Sequence, residues 1–507
     1  MITSISYSTD KGETWTTTTN QDNKSVHLVI DVDVNTGDNI LWKGIATQLG
    51  YSDDYGFYGS FFSSDCEFDA KGNVMSLLYG DNFKNQTTIE EDYTFCRLFN
   101  DYNQNKSCGI INAKDLVLPA TTLANNCYNS MFSGCTSLTT APELPATTLA
   151  DYCYSSMFSG CRLLTKAPEL PATTLAEACY NDMFSGCTSL TKAPELPATT
   201  LANGCYFIMF SGCTSLTKAP ELPATTLNDN CYSCMFYGCT SLTTPPELPA
   251  TTLADYCYSS MFHGCTLLTS APELSATTLA NGCYSSMFFG CTSLTTAPEL
   301  PATTLANYCY NNMFYGCTSL TSASELPATT LADDCYNSMF QGCTSLTSSP
   351  ELLATTLANN CYNNMFNGCT SLTTAPSILP AITLANNCYK YMFQGCTSLT
   401  TAPELPATTL TNSCYQYMFY GCTSLTSAPE LPATKLIDNC YQYMFQGCTS
   451  LNYIKAMFTT TPSNRYTKNW VSNVASSGTF VKNSAATWNV TGVNGVPSGW
   501  TVQTANE

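Results

Sequence analysis

The sequence predicts an α/β repeat solenoid, built from 26-residue units of a short strand plus a helix and preceded by a small N-terminal β domain. Three observations carry this reading. Cysteines between Cys127 and Cys448, Cys234 apart, alternate at gaps of 8 and 18 residues with a single slip. A Met-Phe pair recurs thirteen times between Met131 and Met444, always 26 residues apart except for one 27-residue step from Met365 to Met392. Each unit reads close to T-S-L-T-x-A-P-E-L-P-A-T-T-L-A-x-x-C-Y-x-x-M-F-x-G-C. A unit this short cannot bury its own apolar face, so stacked neighbours must supply the core.

The elements follow in chain order. Residues 1–86 alternate apolar and polar types between Asp, Asn and Gly, as in Val26-His27-Leu28-Val29-Ile30, and predict a small antiparallel β domain. Within it Ser8-Thr9-Asp10-Lys11-Gly12-Glu13-Thr14-Trp15 matches the Asp-box pattern of sialidase-like propellers. One copy of the box and three scattered arginines (Arg97, Arg162, Arg465) argue against a sialidase, so the segment is read as a hairpin turn held by Asp10. Residues 87–122 form a degenerate N-terminal capping unit in which Tyr93, Cys96, Leu98 and Phe99 echo the repeat. Residues 123–455 hold the thirteen repeats, and residues 456–507, with Trp470, Phe480, Trp488 and Trp500, supply a C-terminal cap.

Inside the second unit Leu149, Cys153, Met157 and Cys161 recur every four residues beside Tyr154 and Phe158, which predicts a helix of about three turns. Thr147 or Thr148 is placed to cap it and Gly160 to end it. Leu164 then opens an extended stretch bounded by prolines.

The run Met157-Phe158-Ser159-Gly160-Cys161, with Gly186-Cys187-Thr188-Ser189-Leu190 in the next copy, resembles the BspA-like leucine-rich repeats of bacterial surface proteins. Similar arrays occur in proteins of gut Bacteroidales and their phages. The resemblance spans residues 118 to 455 and implies a leucine-rich-repeat-like fold and a role in adhesion and binding rather than catalysis.

Composition narrows the chemistry. The 507 residues carry 30 cysteines, two histidines (His27 and His263) and a net charge of −19. The acidic excess argues against a nucleic-acid partner. No apolar run reaches the length of a membrane span, so no membrane insertion is expected. Twenty-six cysteines belong to the ladder, leaving Cys66, Cys96, Cys108 and Cys234 outside it. If helices pack about 8–10 Å apart, equivalent cysteines lie beyond disulfide reach. Buried thiols acting as small apolar fillers are therefore favoured over disulfides or metal. A row of glutamates, Glu143 to Glu430, is read as solvated carboxylates, with Ca²⁺ or a basic partner as the alternative. No catalytic group, metal or cofactor is assigned.

The copies differ mainly at five positions, numbered 151, 152, 155, 156 and 159 in the second unit, which a helix would place opposite its buried stripe. Aromatic residues gather there, and the candidate ligand-binding set is Tyr237, His263, Phe289, Tyr315, Tyr391, Tyr417, Tyr420 and Tyr443. The expected function is non-catalytic binding of a cell-surface protein or glycan. The settings are a phage virion attachment component, with the N-terminal domain meeting a virion partner, or a bacterial surface adhesin; a spacer without ligand is the remaining alternative. Met1 is followed by Ile2-Thr3-Ser4-Ile5-Ser6-Tyr7, without the features of a secretory signal, so an extracellular location is expected through a signal already removed, by another export route, or by cell lysis as part of a phage particle.

Overall fold

Buried positions in each repeat follow two patterns, and each dictates a different backbone. In the second stretch of the first repeat, Leu144 and Ala146 are buried while Glu143, Pro145 and Thr147 are exposed, a period of two that requires extended chain. In the segment around Met-Phe the buried residues come as pairs four apart, Cys153-Tyr154 then Met157-Phe158 then Cys161, all at most 1% exposed. A computed structural model describes residues 2–19, 30–53, 56–100 and 108–505. These divide into two units, Met1–Ala224 with four Met-Phe pairs and Thr225–Glu507 with nine.

The expected repeat helix does not form. Residues Tyr152, Ser156 and Gly160 have φ of 56°, 55° and 75°, and the same left-handed positions recur every four residues through the array. A right-handed helix cannot pass through them. The segment is instead a run of consecutive turns whose N–H groups divide alternately. In the second unit of the chain, Cys283, Met287 and Cys291 donate three residues back, to Ala280, Tyr284 and Phe288, at 3.0–3.4 Å. Gly282, Tyr284, Ser286, Phe288 and Gly290 donate to the next repeat, to Asn307, Cys309, Asn311, Met313 and Tyr315, at 2.7–3.0 Å. Every second residue is thus bonded across repeats, which a helix, spending its N–H groups internally, cannot do. The Thr147/Thr148 cap is lost with the helix: Thr148 makes a parallel bridge to Thr122. Strands are equally abbreviated, because the extended stretches touch only through single parallel bridges such as Ser348↔Thr374↔Thr401↔Ser427.

Stacking gives columns of identical side chains. In Thr225–Glu507 the phenylalanines from Phe236 to Phe445 stack at 5.5–5.8 Å between ring centroids, and the tyrosines from Tyr232 to Tyr441 at 5.7–5.9 Å. The hydroxyl of Tyr336 is buried and has no hydrogen-bond partner within the protein, so its desolvation is uncompensated. Tyr336→Phe is expected to leave the midpoint of urea unfolding unchanged or to raise it, by up to about 1–3 kcal/mol; a fall of that size would show that the hydroxyl is bonded.

The ends are built differently. β1 (Ile2–Ser8) lies between β2 (Thr16–Thr19) and β3 (Leu41–Ala46) in an antiparallel sheet, and β4 (Gly50–Asp53) pairs with β5 (Gly56–Gly59). Val26–Val29, including His27, fall outside the described residues. β6 (Phe68–Asn73) already pairs in parallel with β7 (Ile110–Val117), so the parallel ladder reaches back to Phe68. Between them runs a one-turn helix, α1 (Ser76–Tyr79). Phe95 and Phe99 stack on Tyr128 and Phe132 at 5.7 and 5.1 Å, which joins the 87–122 segment to the columns. At the other end β8 (Tyr453–Ala456), β9 (Thr479–Lys482) and β10 (Thr501–Thr504) form a parallel sheet. Trp470 lies against the last rings of both columns, Tyr441 and Phe445, and its indole N–H donates to Gly495 O at 3.0 Å.

Candidate binding surface

The five variable positions lie on successive turns rather than on one helix face, and each carries its own local demand. Position 151 is a structural ladder. The backbone N–H of Asp255 donates to Asp229 Oδ1, that of Asn281 to Asp255 Oδ1, that of Asp333 to Asn307 Oδ1 and that of Asn359 to Asp333 Oδ1, all at 2.8–3.1 Å. Arg465 closes this row with an ion pair to Asp438. Asn and Asp, which fill this position in every copy except the one with Glu177, are therefore conservative variation under one constraint, a short side chain with an acceptor oxygen. Asp333→Ala is expected to cost about 1 kcal/mol by urea unfolding, and Asp333→Asn close to nothing.

Positions 152 and 156 are the left-handed ones. Asn, Ser, Asp and Gly occupy most of them, as the backbone prefers, but Tyr152, Tyr256, Tyr308, Tyr391, Tyr417 and Tyr443 also sit there at φ of 55–60°. Tyr256 lies over Gly282, where an added Cβ would meet its ring at 2.3 Å and displace it.

The candidate residues gather into two columns. Tyr237, His263, Phe289 and Tyr315 follow the Met-Phe pair in four consecutive repeats, with centroids 4.4 Å apart at each step. Tyr391, Tyr417 and Tyr443 precede the pair in three consecutive repeats, at 4.7 and 4.4 Å. Tyr420 belongs to the first column by position but stands beside Tyr417, tilted, at 5.8 Å. These rings approach more closely than the buried columns do. All are half-buried except Tyr237, which is 42% exposed. Lys390 and Lys468 place ammonium groups 5.1 and 5.7 Å from the Tyr391 and Tyr443 rings, at the two ends of the tyrosine column. Partial burial, followed by the neighbouring hydroxyls of Tyr443 and Tyr391, pushes the Tyr417 hydroxyl up to about 12. Desolvation between its flanking rings holds His263 below the usual imidazole value. The sequence placed aromatics on these positions but gave no sign that they stack, because their contacts form only across repeats.

The cysteine argument changes in its premise. Repeats are bonded backbone to backbone, so neighbouring copies stand near strand spacing, about 4.8 Å, and not at helix-packing distance. The ladder cysteines are nonetheless all buried. In the column after glycine the sulfur points to a carbonyl instead of its neighbour: Cys291 Sγ donates to Phe262 O and Cys317 Sγ to Phe288 O, both at 3.1 Å. Burial raises these thiols, Cys317 to about 12, so they are poor nucleophiles. The glutamate row is solvent-exposed, and Glu430 pairs with Lys455 at 3.0 Å. Among the described residues no group of His, Cys, Asp or Glu is arranged to hold a metal.

The Asp-box is a closed hairpin. Asp10 accepts the Thr14 N–H at 2.9 Å, the Thr14 hydroxyl at 2.5 Å and the Ser8 hydroxyl at 2.7 Å. Those bonds, Ser8 first, lower its carboxyl to about 2. A depressed carboxyl stabilises above its unfolded value and stops doing so as pH falls through the folded one. The hairpin is therefore expected to hold its order above pH 4 or so and to loosen toward about 2. Backbone amide exchange at Gly12 and Thr14 measures this, and Asp10→Asn should remove the dependence.

The family described as "BspA type Leucine rich repeat region (6 copies)" matches residues 108–243, 180–312, 258–400 and 363–474, most of the chain. The chain belongs to the BspA-type leucine-rich repeat family. Among solved structures, this BspA-type protein is similar to a leucine-rich repeat protein from Bacteroides ovatus, at 22% identity over 56% of this chain and 82% of that one, with a TM-score of 0.33. It is similar to a leucine rich cell surface protein from Faecalibacterium prausnitzii at 16% identity over 82% and 88%, with a TM-score of 0.32. A functional domain of InlJ from Listeria monocytogenes, described as including a cysteine ladder, matches at 14% identity over 78% and 68%, with a TM-score of 0.19. No curated protein matches the sequence.

Proposed function

We propose that this BspA-type protein is a non-catalytic binding protein whose aromatic columns dock a protein on a cell surface. The observation that carries the reading is the pair of uninterrupted runs, Tyr237 to Tyr315 and Tyr391 to Tyr443, at positions where most other copies hold Ser, Asn or Gln. Three tyrosines in a row at left-handed φ run against local backbone preference. A requirement other than folding is the simplest physical reason for keeping them there. Within a stack each ring covers its neighbour's face, leaving edges and hydroxyls outward. That geometry suits hydrogen bonding and edge contact with a protein better than face-on stacking of a sugar, so a protein ligand is preferred over a glycan. Adhesion at a bacterial surface is the favoured setting, with attachment as part of a virion as the second. No helix among the described residues is long and apolar enough to cross a membrane. Labelled full-length protein titrated onto intact bacterial cells, before and after protease shaving of their surface proteins, tests the reading. Saturable binding lost on shaving supports it; binding lost only after glycan removal moves the ligand to carbohydrate, and no binding leaves a spacer.

A further inference from the structure

We infer that Cys108 and Cys135 are a redox-active pair that closes to a disulfide and ties the N-terminal capping unit to the first full repeat. Their sulfurs lie 3.2 Å apart, and both residues are at most 2% exposed. This contact departs from the rest of the column. Cys161, Cys187 and Cys213 each turn the sulfur to a phenylalanine carbonyl, at 3.1–3.2 Å. Cys135 keeps that bond, to Phe99 O at 3.2 Å, and meets a second sulfur as well. The difference arises from chain path. A regular column member lies 26 residues before the next, whereas Cys108 lies 27 before Cys135 and enters from the start of β7 rather than from a turn segment. Its backbone is held by other partners, since Ser64 N–H donates to Cys108 O and Phe68 N–H to Gly109 O, both at 3.0 Å. Cys108 thus reaches the column on a backbone path different from that of the regular members. A hydrogen bond from Cys135 also lowers the Cys108 thiol, while burial raises the column thiols. Cys108 is accordingly the better nucleophile.

The reaction requires a low-molecular-weight disulfide such as oxidised glutathione. The Cys108 thiolate attacks one sulfur of that disulfide, the external S–S bond breaks, and one glutathione thiolate leaves. Cys135 then loses its proton and attacks the Cys108 sulfur, expelling the second glutathione. Two protein thiols are oxidised by two electrons and one external disulfide is reduced to two thiols. The site matters because an end repeat has a neighbour on one side only and opens most readily. An oxidising exterior would thus lock the array where it is weakest.

The test is to refold the full chain in reduced or oxidised glutathione, alkylate it under denaturing conditions and map the peptides by mass. The expected result in the oxidised sample is a linked pair of peptides containing Cys108 and Cys135, lighter by two hydrogens, with the ladder cysteines alkylated. The thermal midpoint should rise by several degrees over the reduced sample, and Cys108→Ser should abolish that rise. Alkylation of both cysteines in the oxidised sample overturns the inference, as does a bridge from Cys108 to Cys66. If Cys108→Ser fails to fold, the peptide map of the unmutated chain decides alone.

Discussion

Phe314→Ala is expected to destabilise the repeat array by about 3–5 kcal/mol, the range for emptying a large aromatic site in a core. Phe314 is fully buried and sits between Phe288 at 5.6 Å and Phe340 at 5.5 Å. Its own N–H donates to Met339 O and the Phe288 N–H donates to Met313 O, each at 2.9 Å. Backbone bonds on both sides hold the flanking repeats at fixed spacing, so they cannot close on the hole, and incomplete collapse is what places a substitution at the costly end of its range. The loss should also be local, because a repeat touches only its neighbours. Urea unfolding should show a lowered midpoint, and limited proteolysis should begin between residues 288 and 340 before it begins elsewhere. A loss below about 1 kcal/mol would mean that the columns are looser than their ring spacing implies.

Replacing Tyr391, Tyr417, Tyr420 and Tyr443 together with serine is expected to abolish binding to cells while leaving the fold intact. Serine or asparagine is what most other repeats carry at the position of the first, second and fourth of these, as at Ser286, Asn312 and Ser338. Serine also occupies the Tyr420 position in several copies, including Ser159 and Ser185. The backbone there tolerates the change, and both Ser286 and Ser338 hold φ near 55°. What disappears is two ring contacts at 4.4–4.7 Å, the tilted Tyr420 contact and four hydroxyls. Interface aromatics of this kind carry about 2 kcal/mol or more each when they are anchors, so four lost together would take even a tight complex below detection. Circular dichroism and the unfolding midpoint serve as the control for the fold. Undiminished binding with an intact fold would shift attention to Tyr237, His263, Phe289 and Tyr315, whose replacement by Gln, the residue at Gln341 and Gln394, is the matching experiment.

Much of the architecture was legible as arithmetic. The 26-residue period and the buried identity of Cys, Tyr, Met and Phe follow from spacing and residue type, and the resemblance of the Met157-to-Cys161 run pointed to the repeat family. The helix did not follow, and the sequence held the signal against it. Asn, Ser, Asp or Gly returns every four residues at 126, 130 and 134 and at most of their equivalents, the types that accept left-handed φ. An apolar period of four also departs from the 3.6 of a helix. The error carried into the cysteines, since packing distance between helices was the reason for keeping them apart. The constraint on position 151, an acceptor for the next repeat's N–H, is visible only once Asp255 and Asn281 stand side by side.

The sequence by itself determined the period, the composition of the core columns and which positions remain outside them. Those depend on residue type alone, because apolar side chains repeated at a fixed interval must share a core. Tertiary structure alone decided that the chain runs as turns bonded across repeats, that the aromatics at the variable positions close into two stacks, and that Cys108 meets Cys135. Each of those is a contact between residues 25 to 27 positions apart, and whether such residues touch is set by backbone hydrogen bonding between repeats, which no single repeat contains.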